Sequence, residues 1–182
     1  MKKRGKKDKG WVIHLTGISG SGKTTLGRAL LKALAKEGPR PADIIDGDMY
    51  RDFAGIEKGY APEERLAITK AMAFAAFRLA ENGVDVIFCN IAGSYEAREF
   101  LRKKWKRYIQ VFLDARIEDC VRNDPKGVYR KVLSSGTPEC YGIDVAYEKP
   151  RKPDVTVYPY KESAAASLER VRAYLRGKKV IG

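Results

Sequence analysis

Residues Gly17-Ile18-Ser19-Gly20-Ser21-Gly22-Lys23-Thr24 follow the pattern G-x-x-x-x-G-K-[ST], with Thr25 next in line. The chemistry open to such a segment is the binding of a polyphosphate. Its glycines let the backbone turn tightly enough for several N–H groups to converge on an anion, at the start of a helix whose dipole favours negative charge. In that arrangement the Lys23 ammonium bridges β- and γ-phosphates and the Thr24 hydroxyl holds Mg²⁺. Ser19, Ser21 and Thr25 complete the triphosphate site.

Phosphoryl transfer depends mostly on positioning and charge neutralisation, so a second element must present the acceptor. Asp46-Gly47-Asp48 is the candidate. It closes an apolar run, and in a parallel sheet ligands collect beyond the carboxyl ends of the strands. One carboxylate can order water on the metal while the other accepts a hydrogen bond from the acceptor hydroxyl and takes its proton. Aspartates also favour turns and helix caps, which is the structural alternative for this pair. Val111-Phe112-Leu113-Asp114 offers a competing metal ligand in Asp114.

These groups need a scaffold, and the pattern supplies one. Strand-like apolar runs at 11–16, 42–45, 84–89, 108–113 and 155–157 alternate with helical periodicity at 23–36, 62–82, 94–106, 117–122 and 161–176. Such alternation predicts βα units around a parallel five-stranded sheet. Residues 123–150 break the periodicity with three glycines and three prolines and are predicted to form an irregular lid. Residues 1–10 read as a basic, disordered tail and 11–182 as one domain.

Composition narrows the function classes. The chain has 182 residues, 44% apolar and 32% charged, and no apolar run near the roughly 20 residues that span a bilayer. The basic start is not followed by a secretory apolar segment, so a cytoplasmic location and no membrane partner are expected. Cys89, Cys120 and Cys140 suit neither a disulfide framework nor paired metal ligands. His14, the one histidine, lies in an apolar run and reads as a packed or strand-edge imidazole. The net charge of +13 allows a nucleic-acid-associated NTPase as an alternative of another class. However, six Lys/Arg fall within residues 1–9, and the remaining excess has no aromatic interleaving. A small anionic ligand accounts for it equally well.

With these residues in place, the chain resembles the adenylylsulfate (APS) kinase family. Its members phosphorylate the 3′-hydroxyl of adenosine 5′-phosphosulfate to make PAPS. The likeness rests on GISGSGKTT at 17–25, DGDMYR at 46–51, GYAPEER at 59–65, DPKGVYRK at 124–131 and GIDVAYEKP at 142–150. It implies an α/β fold, the P-loop kinase three-layer sandwich with a lid, with ATP and APS as ligands, Mg²⁺ as cofactor and a homodimer. It further implies that Asp46 organises metal-bound water and Asp48 partners the acceptor hydroxyl. Arg51 and Arg65 would grip the phosphosulfate, Tyr60 would pack on the acceptor base, Ile91 would line the same site, and Lys126 would close with the lid. Paired arginines suit a doubly anionic acceptor and an aromatic ring suits a nucleobase.

Four departures fall on the acceptor side. Ile68 and Ala71 replace a family Asn and Arg, Asn90-Ile91-Ala92-Gly93-Ser94-Tyr95 replaces F-I-S-P-Y-R, and Cys140 stands where the lid ring would sandwich the adenine. Loss of that ring implies a base contact weaker by about 1–3 kcal/mol. Another nucleotide-linked anion, such as a modified nucleoside diphosphate, is the alternative acceptor.

Overall fold

The computed structural model describes residues 8–56, 62–124, 127–135 and 140–182. Five parallel strands, β1 (Val12–Thr16), β2 (Ala42–Asp46), β3 (Asp85–Cys89), β4 (Tyr108–Leu113) and β5 (Val155–Val157), form one sheet in the order β2-β3-β1-β4-β5. β2, at the sheet edge, is only partly buried, whereas β1, β3 and β4 are short, mostly apolar runs buried along their whole length. That is the pattern of a parallel sheet covered on both faces.

Helices supply the covers. α1 (Lys23–Glu37) and α7 (Ala164–Gly177) pack Leu26, Leu30, Leu34, Val171 and Leu175 against Ile13, Leu15, Ile87 and Val111. On the other face, α3 (Pro62–Glu81) and α4 (Tyr95–Lys104) set Met72, Ala73, Ala76, Ala80, Ala97 and Leu101 against Val12, Val86 and Phe88. The expected three-layer architecture is therefore present. Gly27 lets α1 approach closely, because a Cβ there would lie 2.7 Å from Cys89 Sγ.

β1 is central, with β3 on one side and β4 on the other, so the chain reverses direction of winding at its carboxyl end. Crevices form at such switch points. β2 is not the neighbour of the P-loop strand, since β3 lies between them. Asp46 nonetheless reaches the loop by side-chain contact, as described below.

Three local expectations change. Asp46-Gly47-Asp48 opens a helix, α2 (Gly47–Phe53), with Asp46 as its N-cap. Within the segment read as irregular, α6 (Val128–Ser135) follows α5 (Ile117–Asn123). Residues 8–10 belong to the fold and not to a tail: Gly10 N–H donates to Ala80 O at 2.8 Å, and Asp8 pairs with Arg40 and Arg107. Residues 1–7 lie outside the described part.

His14 sits inside the central strand, fully buried. Its Nε2 meets the Asn90 carbonyl at 3.2 Å and must donate, so its Nδ1 accepts from Tyr108 O–H at 2.6 Å. That is a satisfied neutral imidazole with no access to a ligand, and burial pushes its pKa down to about 3. The unfolded chain takes up this proton below its usual pKa of 6.5, whereas the fold refuses it until about pH 3. Stability should therefore fall as pH drops through that window, by about 2 kcal/mol from this group between pH 7 and pH 5. Urea midpoints at the two pH values should show a smaller loss in His14→Gln than in the wild type; an equal loss would contradict the assignment.

Candidate active site

The phosphate loop leaves β1 at Gly17 and enters α1 at Lys23. Gly20 and Gly22 adopt φ of +70° and +91°, the left-handed region that L side chains resist, so the two turns require glycine. Lys23 folds back over the loop, its ammonium donating to Gly17 O at 2.8 Å and Ile18 O at 2.7 Å. Ser21 N–H also faces inward, meeting Ile18 O at a long 3.3 Å. These donors converge where an anion would sit.

Across the mouth, Thr24 Oγ1 donates to Asp46 Oδ2 at 2.8 Å. The other carboxylate oxygen accepts from Asp48 N–H at 2.8 Å, so Asp46 caps α2 and touches the loop at once. Asp48, in the first turn of α2, pairs with Arg51 one turn later. Both side chains remain substantially exposed, at 43% and 37%. The chain Thr24–Asp46–Asp48–Arg51 thus joins the donor loop to groups able to meet an acceptor. Asp114 instead pairs with Lys149 at 2.8 Å.

A second cluster lies at the carboxyl end of β3. Thr16 Oγ1 donates to Ile91 O at 2.5 Å and accepts from the Tyr147 hydroxyl at 3.0 Å, and burial pushes that phenol up to about 12. Tyr147 stacks on Phe112 and meets Tyr141 edge-on. Arg65, on the first turns of α3, places its guanidinium 4.5 Å from the Tyr141 ring centre. The ring also lies close against Gly93, where a Cβ would come within 2.2 Å of it. Buried Arg98 ties the two segments together, donating to Ala92 O at 2.6 Å and to Glu148 O.

Cys140, where the resemblance leaves no lid ring, faces the interior. Its side chain is buried among Ile18, Cys120 and Tyr129, with the thiol pKa raised by burial. The neighbouring Tyr141 packs partly buried against the same cluster and carries the Arg65 guanidinium over its ring. Ile68 is half-buried against the apolar cluster under α3, and Thr69 beside it donates to Asn90 Oδ1 at 3.3 Å. Tyr60 and Lys126 lie outside the described residues. Tyr141, whose contacts with Gly93 and Arg65 are tertiary, was not singled out from the sequence.

Behind the loop, a largely apolar cavity of about 210 Å³ is lined by Gly22, Thr25, Leu26, Ala29, Pro159 and Tyr160. It opens beside the residues that would hold the phosphates.

The family model described as adenylylsulphate kinase matches residues 9–158. The chain belongs to the adenylylsulphate kinase family. The adenylyl-sulfate kinase of Clostridium acetobutylicum is 35% identical over 176 residues, covering 96% of this chain and 88% of that one. That of Pseudomonas aeruginosa PAO1 is 35% identical over 166 residues, covering 90% and 84%. Among solved structures, the APS kinase of Mycobacterium tuberculosis in complex with AMPPNP and APS superposes with a TM-score of 0.84 at 28% identity, covering 92% of this chain and 98% of that one. Family membership makes the chain a phosphotransferase acting on a hydroxyl group. Among the described residues, no helix is long and apolar enough to cross a membrane.

Proposed function

We propose that the chain transfers the γ-phosphoryl group of ATP to the 3′-hydroxyl of adenosine 5′-phosphosulfate, giving PAPS. The observation that carries this reading is the Thr24–Asp46 hydrogen bond at 2.8 Å, which sets the acidic pair of α2 directly against the phosphate loop.

The pair also suits Mg²⁺: a hydroxyl and a carboxylate are hard oxygen donors, and this ion is commonly held by one or two protein oxygens, water and substrate phosphates. When bound it neutralises charge on the β- and γ-phosphates. Thr24 and Asp46 would hold it, Asp46 through water. Lys23 would exchange the carbonyls of Gly17 and Ile18 for phosphate oxygens, and the loop N–H groups would take the rest. The apolar cavity beside Thr25 and Tyr160 suits the donor base.

Asp48 would accept the proton of the attacking hydroxyl, oriented by Arg51. Arg65, its guanidinium 4.5 Å over the Tyr141 ring, would hold the phosphosulfate. The solved M. tuberculosis relative with AMPPNP and APS supports two nucleotide sites of this kind. The pair Arg51 and Arg65 supports a doubly anionic acceptor such as APS, while the apolar Ile68 favours a different nucleotide-linked acceptor.

Mass spectrometry of products made with Mg²⁺-ATP and either APS or a panel of nucleotide-linked anions decides between them. APS should gain one phosphoryl group. If APS gives no product while another acceptor gains a phosphoryl group, the acceptor assignment is wrong and the donor half stands.

A further inference from the structure

Two tyrosines from distant parts of the chain hold the crown of the phosphate loop from outside. Tyr129, on α6, donates its hydroxyl proton to Ser19 O at 2.8 Å. Tyr160, in the turn between β5 and α7, does the same to Gly20 O at 2.8 Å. The carbonyls are consecutive, and Cys120 lies beneath them, with its Cβ 3.4 Å from where a Cβ on Gly20 would be.

The consequence follows from peptide geometry. In a trans peptide the C=O and the next N–H point in opposite directions. Tying Ser19 O outward therefore aims Gly20 N–H inward, and tying Gly20 O outward aims Ser21 N–H inward. The second is seen directly: Ser21 N–H crosses the loop to Ile18 O at 3.3 Å, a long bond that a phosphate oxygen can replace. At Gly20, φ of +70° leaves the backbone free of the restraint a side chain would impose, so an outside tether has something to fix.

Neither tyrosine is placed by chance packing alone. Tyr129 is 1% exposed, one of the largest fully buried side chains, and its hydroxyl is spent on the loop carbonyl. Tyr160 is 45% exposed and holds φ of +70°, a conformation uncommon outside glycine. Its turn is closed by Lys161 N–H and Glu162 N–H, both donating to Tyr158 O.

We propose that Tyr129 and Tyr160 are positioning residues for the phosphate loop, each fixing one peptide plane of its anion-binding nest. Tyr129 thereby makes the loop's geometry depend on the seating of α6. The inference rests on the loop being the ATP site.

The test is titration of inorganic tripolyphosphate with Mg²⁺ into wild type, Tyr129→Phe, Tyr160→Phe and the double variant, with KM measured for both substrates. Phenylalanine keeps the ring and removes only the bond. Each single variant should weaken tripolyphosphate binding and raise the KM for ATP by about three- to tenfold, the effect of one lost hydrogen bond, with the KM for the acceptor unchanged. Wild-type tripolyphosphate affinity in both variants would overturn the proposal, as would equal rises in the two KM values. If Tyr129→Phe fails to fold, the half-exposed Tyr160→Phe decides by the same criteria. A wild-type protein that bound no tripolyphosphate would sink the donor assignment itself, and this inference with it.

Discussion

Asp48→Asn is expected to lower kcat by about 10²- to 10⁴-fold, the range that loss of a positioned general base produces, with little change in the KM for ATP. The amide has the same shape as the carboxylate, so it can still accept from Arg51, and the first turn of α2 keeps its backbone. What it cannot do is take a proton from the attacking hydroxyl. The result is read from steady-state kinetics with each substrate varied in turn. Asp46→Asn provides the contrast. Asp46 caps α2 and holds Thr24, so its replacement should act on the donor side and raise the Mg²⁺ concentration needed for half-maximal rate. Near-wild-type kcat in Asp48→Asn would remove Asp48 from the chemistry and leave it a helix residue paired with Arg51.

How far this site could be read from sequence depends on how local each part is. The phosphate loop is local in sequence: eight residues, their glycines and the helix that follows mark it, and the structure adds where Lys23 rests and the two distant tyrosines bonded to Ser19 O and Gly20 O. The strands were legible because a doubly covered parallel sheet leaves near-continuous apolar runs, and β1, β3 and β4 are such runs. α2 was not legible. It is seven residues long and begins with glycine, so neither periodicity nor propensity marks it, and its stability comes from the Asp46 cap and from packing. α6 was hidden similarly, among glycines and prolines that read as loop.

The acceptor side was the least legible, because it is tertiary. Cys140 and Tyr141 both pack on the cluster around Ile18, Cys120 and Tyr129, the thiol buried within it and the ring partly buried against it. The ring lies where a Cβ on residue 93 would clash, so Gly93, nearly fifty residues away, makes room for it. A substitution pattern judged position by position counts Cys140 as a loss and Gly93 as a second departure. In the fold, Gly93 leaves the room that the Tyr141 ring occupies, a contact no single position announces. His14 teaches the same lesson in reverse: the residue type best suited to catalysis near neutral pH is sealed in the central strand, neutral and fully bonded.

Arg65→Ala is expected to raise the acceptor KM by about tenfold to a hundredfold, the effect of losing one to two charge-assisted hydrogen bonds, with the ATP KM nearly unchanged. Equal effects on both substrates would contradict its place on the acceptor side. Arg65→Lys should recover only part of the loss. A lysine keeps the charge but has neither the planar fork for an oxyanion nor a flat face to lie on Tyr141 at 4.5 Å. The stack makes a further demand. If the ring orients the guanidinium, Tyr141→Ala should raise the acceptor KM as well, and the double variant should cost less than the sum of the singles, because each change already disables the shared contact. Strict additivity would mean that Arg65 and Tyr141 act on the acceptor separately, and that the guanidinium is held by its other contacts and not by the ring.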